Sequence, residues 1–429
     1  MTSQPTEEDR IKPGAEISAA GKAATASSVH FVLATLISLN LLNYIDRNLL
    51  PGAQPLLQKT FGLADSSIGA VSSSFFLAYM LAAPLLGWIG DRFSRRRLVL
   101  LSVIWWSCAL GLSTFATNIA WFAKAYSMVA VGEAAFGVYA VTILSDYFTG
   151  ADRTWALSLF FLAITAGRAL GYPIGGWLAE AFGWQVPFRV CAVAGLLLVL
   201  IAARVLGEPE KQTDANDNPG ATRLSSFRTL WNRAYLFAVF GLAMQTFALS
   251  GLSIWLPTYL HRFAGYSVTH AATFLGAVTL VCGLGATWLG GVLGERFLRR
   301  ERRALYWLSA SSLFLAAPFV AGLLLPSPRM VAGGVIGAQF FLALNLGPLN
   351  TAILNSVPAS VRSTAVAAAL FMVHALGDAL SPQLIGLVSD SFGLRIGMSI
   401  TLVSLLAGGL LLIAGANQAP ARPDNQETA

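Results

Sequence analysis

Twelve long apolar segments alternate with short polar breaks along this chain. The first six fall at about 30–54, 66–90, 97–117, 119–146, 153–181 and 185–206. The second six fall at about 232–260, 268–294, 304–325, 330–356, 363–391 and 395–416. Each approaches or exceeds the ~20 residues that a helix needs to cross the hydrocarbon core, and a helix lets such a run satisfy its own backbone in lipid. The pattern therefore predicts an all-α integral membrane protein with 12 transmembrane helices in two six-helix bundles, 29–206 and 232–416. Residues 207–231 are rich in Asp, Asn, Pro and Gly and read as a cytoplasmic linker too short to hold a domain. Residues 1–28 read as a disordered cytoplasmic tail without the basic start and apolar core of a cleaved leader, and 417–429 as a second polar tail.

Composition agrees. The chain is 55% hydrophobic and 11% charged, against roughly 25% charged in soluble proteins, which excludes a water-soluble fold. The net charge of +7 is an orientation signal rather than a nucleic-acid surface. Twenty of the 28 Lys and Arg fall in the tails and in the loops on the same side as them, and five on the other side. Basic residues stay in the cytoplasm, so both termini are expected there. A bacterial inner (plasma) membrane is the expected setting, and a monomer the expected state. Cys108, Cys191 and Cys282 lie scattered in apolar runs and read as small hydrophobes, with no disulfide framework or metal cluster.

The halves repeat each other. Gly87-Trp88-Ile89-Gly90-Asp91-Arg92-Phe93-Ser94-Arg95-Arg96 closes the second span, and Gly291-Val292-Leu293-Gly294-Glu295-Arg296-Phe297-Leu298-Arg299-Arg300 closes the eighth, 204 residues later. Ala179-Glu180-Ala181-Phe182-Gly183 echoes in Ser389-Asp390-Ser391-Phe392-Gly393 at an offset of 210. Internal repeats of this kind mark secondary transporters, whose substrate lies between the repeats near the midplane. Six-span halves with this doubled Gly-x-x-x-Asp-Arg-x-x-Arg-Arg turn resemble the major facilitator superfamily. The glycines would admit close helix packing, and the arginines would sit in the inner headgroup layer. The resemblance implies a cytoplasmic latch from Gly87, Asp91, Arg92 and Arg96, with Glu295 and Arg296 as the second copy and Asp146 as partner for Arg92. Gly167, Gly171 and Gly175 form a four-residue stripe for packing on span five, similar to the superfamily's Gly-rich motif there.

Charges inside spans are costly, ~2.5–3.5 kcal/mol each on insertion scales, and face a cavity or a partner. Asp46 and Arg47 on span one and Glu133 on span four come to similar depths. Their repeat positions hold Ser250, Gly251 and Ala343, so the amino-terminal half alone carries them. This asymmetry assigns proton handling to that half and substrate shaping to the other; a static Asp/Glu–Arg pair locking helices together is the alternative. Arg168 on span five and Asp378 on span eleven are repeat-equivalent, with His374 one turn before Asp378. They read either as a holder for a charged headgroup, where phosphate would prefer Arg168, or as a gate between halves. Phe247, Trp255 and Tyr259 on span seven either line an apolar cavity or face lipid.

Asn43-Tyr44-Ile45-Asp46-Arg47 together with Gly132-Glu133-Ala134 and Asp146 narrows the resemblance to the spinster branch of that superfamily. The resemblance implies Asp46, Arg47 and Glu133 as the proton-coupling group, and a lysophospholipid or sphingoid phosphate as cargo. One position departs. Tyr126 stands where the branch usually has an arginine, and it joins Arg168, His374 and Asp378 as a candidate substrate or gate residue. No phosphate-binding Gly-rich loop or hydrolase motif occurs, so neither an ATP-driven pump nor an enzyme is expected, and no cofactor. The expected function is secondary transport by alternating access, with membrane lipids, protons and a small amphiphile as partners and no nucleic acid. The other readings are a proton-coupled exporter of drugs or small organic anions, and a non-transporting receptor of the same fold.

Overall fold

A computed structural model describes residues 26–148, 150–207, 232–299, 301, 303–358 and 361–419, with Asp91 described by its backbone alone. Twelve helical stretches among these are long and apolar enough to cross a membrane. The first half contains α1 (Ala26–Phe61), α2 (Asp65–Arg92), α3 (Arg95–Ser113), α4 (Ile119–Tyr147), α5 (Gly150–Phe182) and α6 (Gln185–Val205). The second contains α7 (Arg233–Phe263), α8 (Val268–Leu298), α9 (Ala304–Leu323), α10 (Pro328–Leu344), α11 (Leu346–Asn355), α12 (Arg362–Val373), α13 (Ser381–Phe392) and α14 (Leu394–Gln418). The linker and both tails lie almost wholly outside the described residues. The end of the bundle that holds Ala26 and Ala419 is termed the terminal end, and the opposite one the loop end.

Local chemistry sets the helix boundaries. Ser94, Asn118, Asn232 and Ser267 accept from the backbone N–H of Arg97, Trp121, Ala234 and His270, so side chains satisfy donors that a helix start leaves open. At the loop end Gly183 (φ 98°) and Gly393 (φ 86°) follow α5 and α13 in a backbone region that other residues avoid. These glycines are the repeat-equivalent turns seen in the sequence. Helix α1 runs through Pro51 and Pro55 to Phe61 rather than stopping near 54, because close neighbours support the backbone that proline leaves unbonded.

Two spans are interrupted. The tenth breaks at Asn345 between α10 and α11. Asn345 donates to the Gln245 side chain (2.7 Å), which in turn donates to the Leu342 carbonyl (2.8 Å). The eleventh carries a π-turn, His374–Asp378, between α12 and α13. Turns of this kind recur at functional sites. Sequence periodicity treats both as continuous helices.

The Gly stripe of α5 packs on α1 as expected. A Cβ at Gly171 would lie 2.6 Å from the Ile45 carbonyl oxygen, and one at Gly175 would lie 2.7 Å from that of Leu49. Large apolar side chains such as Leu85, Trp288 and Val403 remain exposed on the outside of the bundle, where lipid is the solvent. The glycines of the turn motif behave unequally. A Cβ at Gly90 would meet the Tyr139 ring at 2.7 Å, whereas one at Gly87 would meet nothing within 4 Å. The close packing expected at Gly87 is therefore absent in this conformation. Gly171→Ala is expected to lower stability by roughly 1–3 kcal/mol through overpacking, while Gly87→Ala leaves it unchanged. Thermal unfolding of both variants in one detergent checks the contrast.

Candidate functional site

A cavity of about 590 Å³ lies between the two halves. Its walls come from α1, α2, α4 and α5 on one side and from α12 and the π-turn on the other. Apolar groups dominate, among them Met80, Phe160, Phe161, Leu370 and Phe371, with Asn40, Asn43, Tyr44, Arg47, Tyr79 and His374 as the polar minority. Within α1, α2, α4, α5 and α12 these positions occupy the middle and the terminal-end part of each helix. Asn40 is fixed by donating to the Phe160 carbonyl at 2.7 Å.

Arg47 links this cavity to the buried interior. Its Nε donates to Oε2 of Glu133 at 2.6 Å; Arg47 is 14% exposed and Glu133 fully buried. The guanidinium also lies over the Tyr44 ring (4.8 Å) and the Tyr79 ring (4.4 Å), a favourable setting for a cation out of bulk water. The second carboxylate oxygen of Glu133 has no hydrogen-bond partner among the described residues. A buried pair of this kind is balanced, since desolvation cancels much of the attraction, and removing one partner strands the other. Arg47 and Glu133 thus meet as the sequence predicted.

Asp46 does not join them. It is fully buried beside Cys191 and Trp106, makes no ion pair among the described residues, and is absent from the cavity wall. The reason is helical geometry: consecutive residues point ~100° apart on a helix of 3.6 residues per turn. When Arg47 faces the cavity its neighbour turns into the bundle, so of the three residues expected to act together Arg47 and Glu133 are the two in hydrogen-bond contact.

Tyr126 is also corrected. It is buried in an aromatic cluster, stacked on Phe122 (5.6 Å) and near Phe75 and Phe188, and does not line the cavity. His374 and Asp378 do meet, Nδ1 to Oδ2 at 2.6 Å across the π-turn, but His374 alone reaches the large cavity. Arg168 forms no ion pair with Asp378; among the described residues it has no carboxylate within 4 Å, and it lines a second, smaller chamber. Phe247, Trp255 and Tyr259 are neither lipid-facing nor in the cavity. They are buried, with Trp255 donating to the Pro382 carbonyl and Tyr259 to that of Leu323.

At the terminal end the turn motif pairs within its own half. Asp146 takes Arg95, not Arg92, and Arg96 donates to the Ala203 carbonyl at 2.6 Å. Arg92 lies over the Trp88 ring at 3.5 Å. Glu295 pairs with Arg299 on the same exposed turn at 2.6 Å, and Arg296 is exposed as well. The side chain of Asp91 is outside the described residues.

The loop end is closed by groups the sequence analysis did not assign to the site. Asp390 at the end of α13 accepts from the N–H of Asp65 (2.8 Å) and Ser66 (3.2 Å), capping α2 of the other half. Glu180 at the end of α5 accepts from the N–H of Thr269 (2.7 Å), capping α8. Carboxylates are stabilised at a helix N-terminus by its dipole and open N–H groups. Both the acids (180 and 390) and the caps (65 and 269) are repeat-equivalent, at the offsets of 210 and 204 already found. Asp65 then gathers Arg262 (2.7 and 2.8 Å), Ser389 (2.5 Å) and Gln58 (2.7 Å). Gly176 and Gly386, again 210 apart, let the halves touch there: a Cβ on them would lie 2.5 Å from Ala272 and 2.7 Å from the Asp65 carbonyl oxygen. The signal was present in the sequence as the repeated acid before Phe-Gly, but nothing local shows that it reaches across the molecule.

The double variant Glu180→Gln, Asp390→Asn removes two caps worth about 0.3–1 kcal/mol each. It is expected to raise the population opened at the loop end roughly threefold to thirtyfold. Spin labels on Lys59→Cys and Arg329→Cys, exposed at the loop end of opposite halves, report this as a longer distance component.

Comparison with known proteins agrees with this geometry. The model of the Major Facilitator Superfamily matches residues 36–382. The chain is 34% identical over 380 residues to the sphingosine-1-phosphate transporter SPNS2 of Danio rerio, covering 82% of this chain and 74% of that one. It is 32% identical over 382 residues to protein spinster homolog 1 of Xenopus laevis, covering 84% and 72%. Among solved structures, a bacterial homolog of the human lysosomal transporter Spinster, inward-facing and unoccupied, superposes with a TM-score of 0.84 at 24% identity over 92% of this chain and 98% of that one. The nucleoside transporter NupG superposes at 0.71 with 16% identity over 90% and 99%.

Proposed function

Since the chain belongs to the Major Facilitator Superfamily, and within it to the spinster type of transporter, we propose that it moves an amphiphilic lipid by proton-coupled alternating access. The lipid is a lysophospholipid or a sphingoid phosphate, and the loading cavity is the one between the halves. The observation that carries the reading is Arg47, held between the buried Glu133 carboxylate and the cavity. The cavity supports the substrate class: aromatic and aliphatic walls suit an acyl chain. The predominance of Lys and Arg at the terminal end supports a cytoplasmic placement for it, so the conformation described is open to the cytoplasm.

The coupling follows from competition for one cation. With Glu133 ionised, Arg47 is tied to it by a charge-assisted hydrogen bond. A proton on Glu133 replaces the carboxylate by a neutral acid and weakens that tie, which leaves the guanidinium to anionic groups in the cavity. Anionic cargo binding Arg47 in turn weakens the hold on Glu133 and favours its protonation, as linkage requires. When the terminal end closes, the motif of Gly87, Asp91, Arg92 and Arg96 serves as a latch, with its second copy at Glu295 and Arg296.

Flux into proteoliposomes under an imposed pH gradient tests this reading. Uptake of a lysophospholipid or sphingoid phosphate that responds to the gradient is expected, with Glu133→Gln removing the response and Arg47→Ala reducing uptake at least tenfold. Uptake confined to hydrophilic anions would refute the lipid assignment, and binding without flux would refute transport.

A further inference from the structure

A smaller chamber of about 150 Å³ adjoins the large cavity at the level of Arg168. It lies between α5 of the first half and α7, α8, α10 and α11 of the second. Arg168, Thr165, Tyr172, Ser253, Thr279 and Gln339 supply its polar surface. Thr279 Oγ1 is buried and has no hydrogen-bond partner. Arg168, as noted, has no carboxylate within ion-pair reach. A guanidinium is permanently charged and presents a planar fork of donors suited to a phosphate or carboxylate. Placed in the middle of a membrane bundle without a counterion, it stands where a compact anion would be most strongly stabilised.

The chamber and the cavity are neighbours, with Ile164 in the wall of both. Residues 161, 164 and 165, 168 and 172 recur every three to four positions and so share one face of α5. Along that face the surface changes from Phe160 and Phe161, through Ile164, to Thr165, Arg168 and Tyr172, moving from the cavity toward the closed loop end. An amphiphile laid on this strip would match it group for group. Arg47 is released to an anion only when Glu133 is protonated, since its Nε is otherwise committed to that acid; Arg168 is under no such condition. The volume of the chamber equals that of about five waters, enough for a phosphate monoester or a carboxylate. A quaternary ammonium would find no carboxylate there among the described residues that line the chamber.

We propose that this chamber is the headgroup subsite for a compact anionic headgroup held by Arg168, with the acyl chain lying back across Ile164 into the aromatic cavity. The inference rests on the lipid-transport reading above and specifies which headgroup the site prefers and which way the lipid points. The head lies toward the closed loop end and touches both halves, so a bound lipid braces them together. Thr279 Oγ1 and the Ser253 and Thr165 hydroxyls offer the remaining donors.

Ligand-induced shifts in thermal unfolding and direct affinity measurements on the purified full chain test this with three probes: 1-oleoyl lysophosphatidic acid, 1-oleoyl lysophosphatidylcholine and inorganic phosphate. The wild type is expected to bind the lysophosphatidic acid at least tenfold more tightly than the phosphocholine lipid, and inorganic phosphate far more weakly than either. Arg168→Gln should cost at least tenfold in affinity for lysophosphatidic acid and less than twofold for the phosphocholine lipid, and Arg168→Lys should restore most of the loss. Phe161→Ala should weaken both lipids alike. Equal losses for the two lipids in Arg168→Gln, or no loss, would overturn the headgroup subsite while leaving lipid transport standing. Inorganic phosphate binding as tightly as the lipid would overturn it too, since the chain would then contribute nothing. Failure of the wild type to bind either lipid would remove both the subsite and the lipid reading on which it rests.

Discussion

Hydrocarbon offers no water to a buried charge, and that constraint organises the molecule. Every ionised group kept within the bilayer needs a counter-charge, a hydrogen-bond partner or a path to an aqueous cavity. Arg47 and Glu133 meet the requirement together, with the cation at the cavity wall and the acid behind it. The same constraint bears on Arg168, which has no carboxylate within ion-pair reach among the described residues and meets the requirement by lining a polar chamber.

The two halves supply complementary parts of one device. The first contributes the Arg47–Glu133 ion pair and the α5 strip; the second contributes the interrupted spans that face it. Spans ten and eleven are broken at Asn345 and at the His374–Asp378 turn. Each break frees the helix on either side to adopt a different angle. Breaks are tolerated within a membrane only where protein or cavity covers the loosened backbone, and Asn345 is covered by Gln245. The asymmetry in charges noted in the sequence thus has a structural counterpart in helix continuity.

Closure of the loop end uses the repeat in a different way. Asp390 and Glu180 each cap a helix of the opposite half, so both caps span the boundary between the halves. Exposed carboxylates on helix N-termini are modest interactions, which suits a contact that must break in every cycle. The heavier cluster of Asp65, Arg262, Ser389 and Gln58 is built on one of the two caps only. The seal is therefore symmetric in its backbone contacts and asymmetric in its side chains, as the coupling machinery is.

The sequence by itself determined the twelve spans, the two-fold repeat and the family, because burial in lipid imposes a long unbroken apolar run and the turn motif is local. It also determined that the charges of span one and Glu133 lie at similar depths, since depth along a helix is a matter of counting residues. Rotation about the helix axis is not. Whether Asp46 or Arg47 faces the cavity, and whether Tyr126 or Phe161 does, depends on which side of each helix its neighbours cover, and both options are equally apolar in pattern. Gly87 and Gly90 look alike in the motif, yet only Gly90 meets a ring. The partner of Asp146 in this conformation depends on the same thing: Arg92 and Arg95 lie three residues apart on opposite sides of the α2–α3 turn, and the path of the chain through that turn brings Arg95 to it. Contacts between residues some 90 to 325 positions apart, such as Glu180 with Thr269 and Asp390 with Asp65, exist only once twelve helices have packed, and it is the tertiary structure that brought them together.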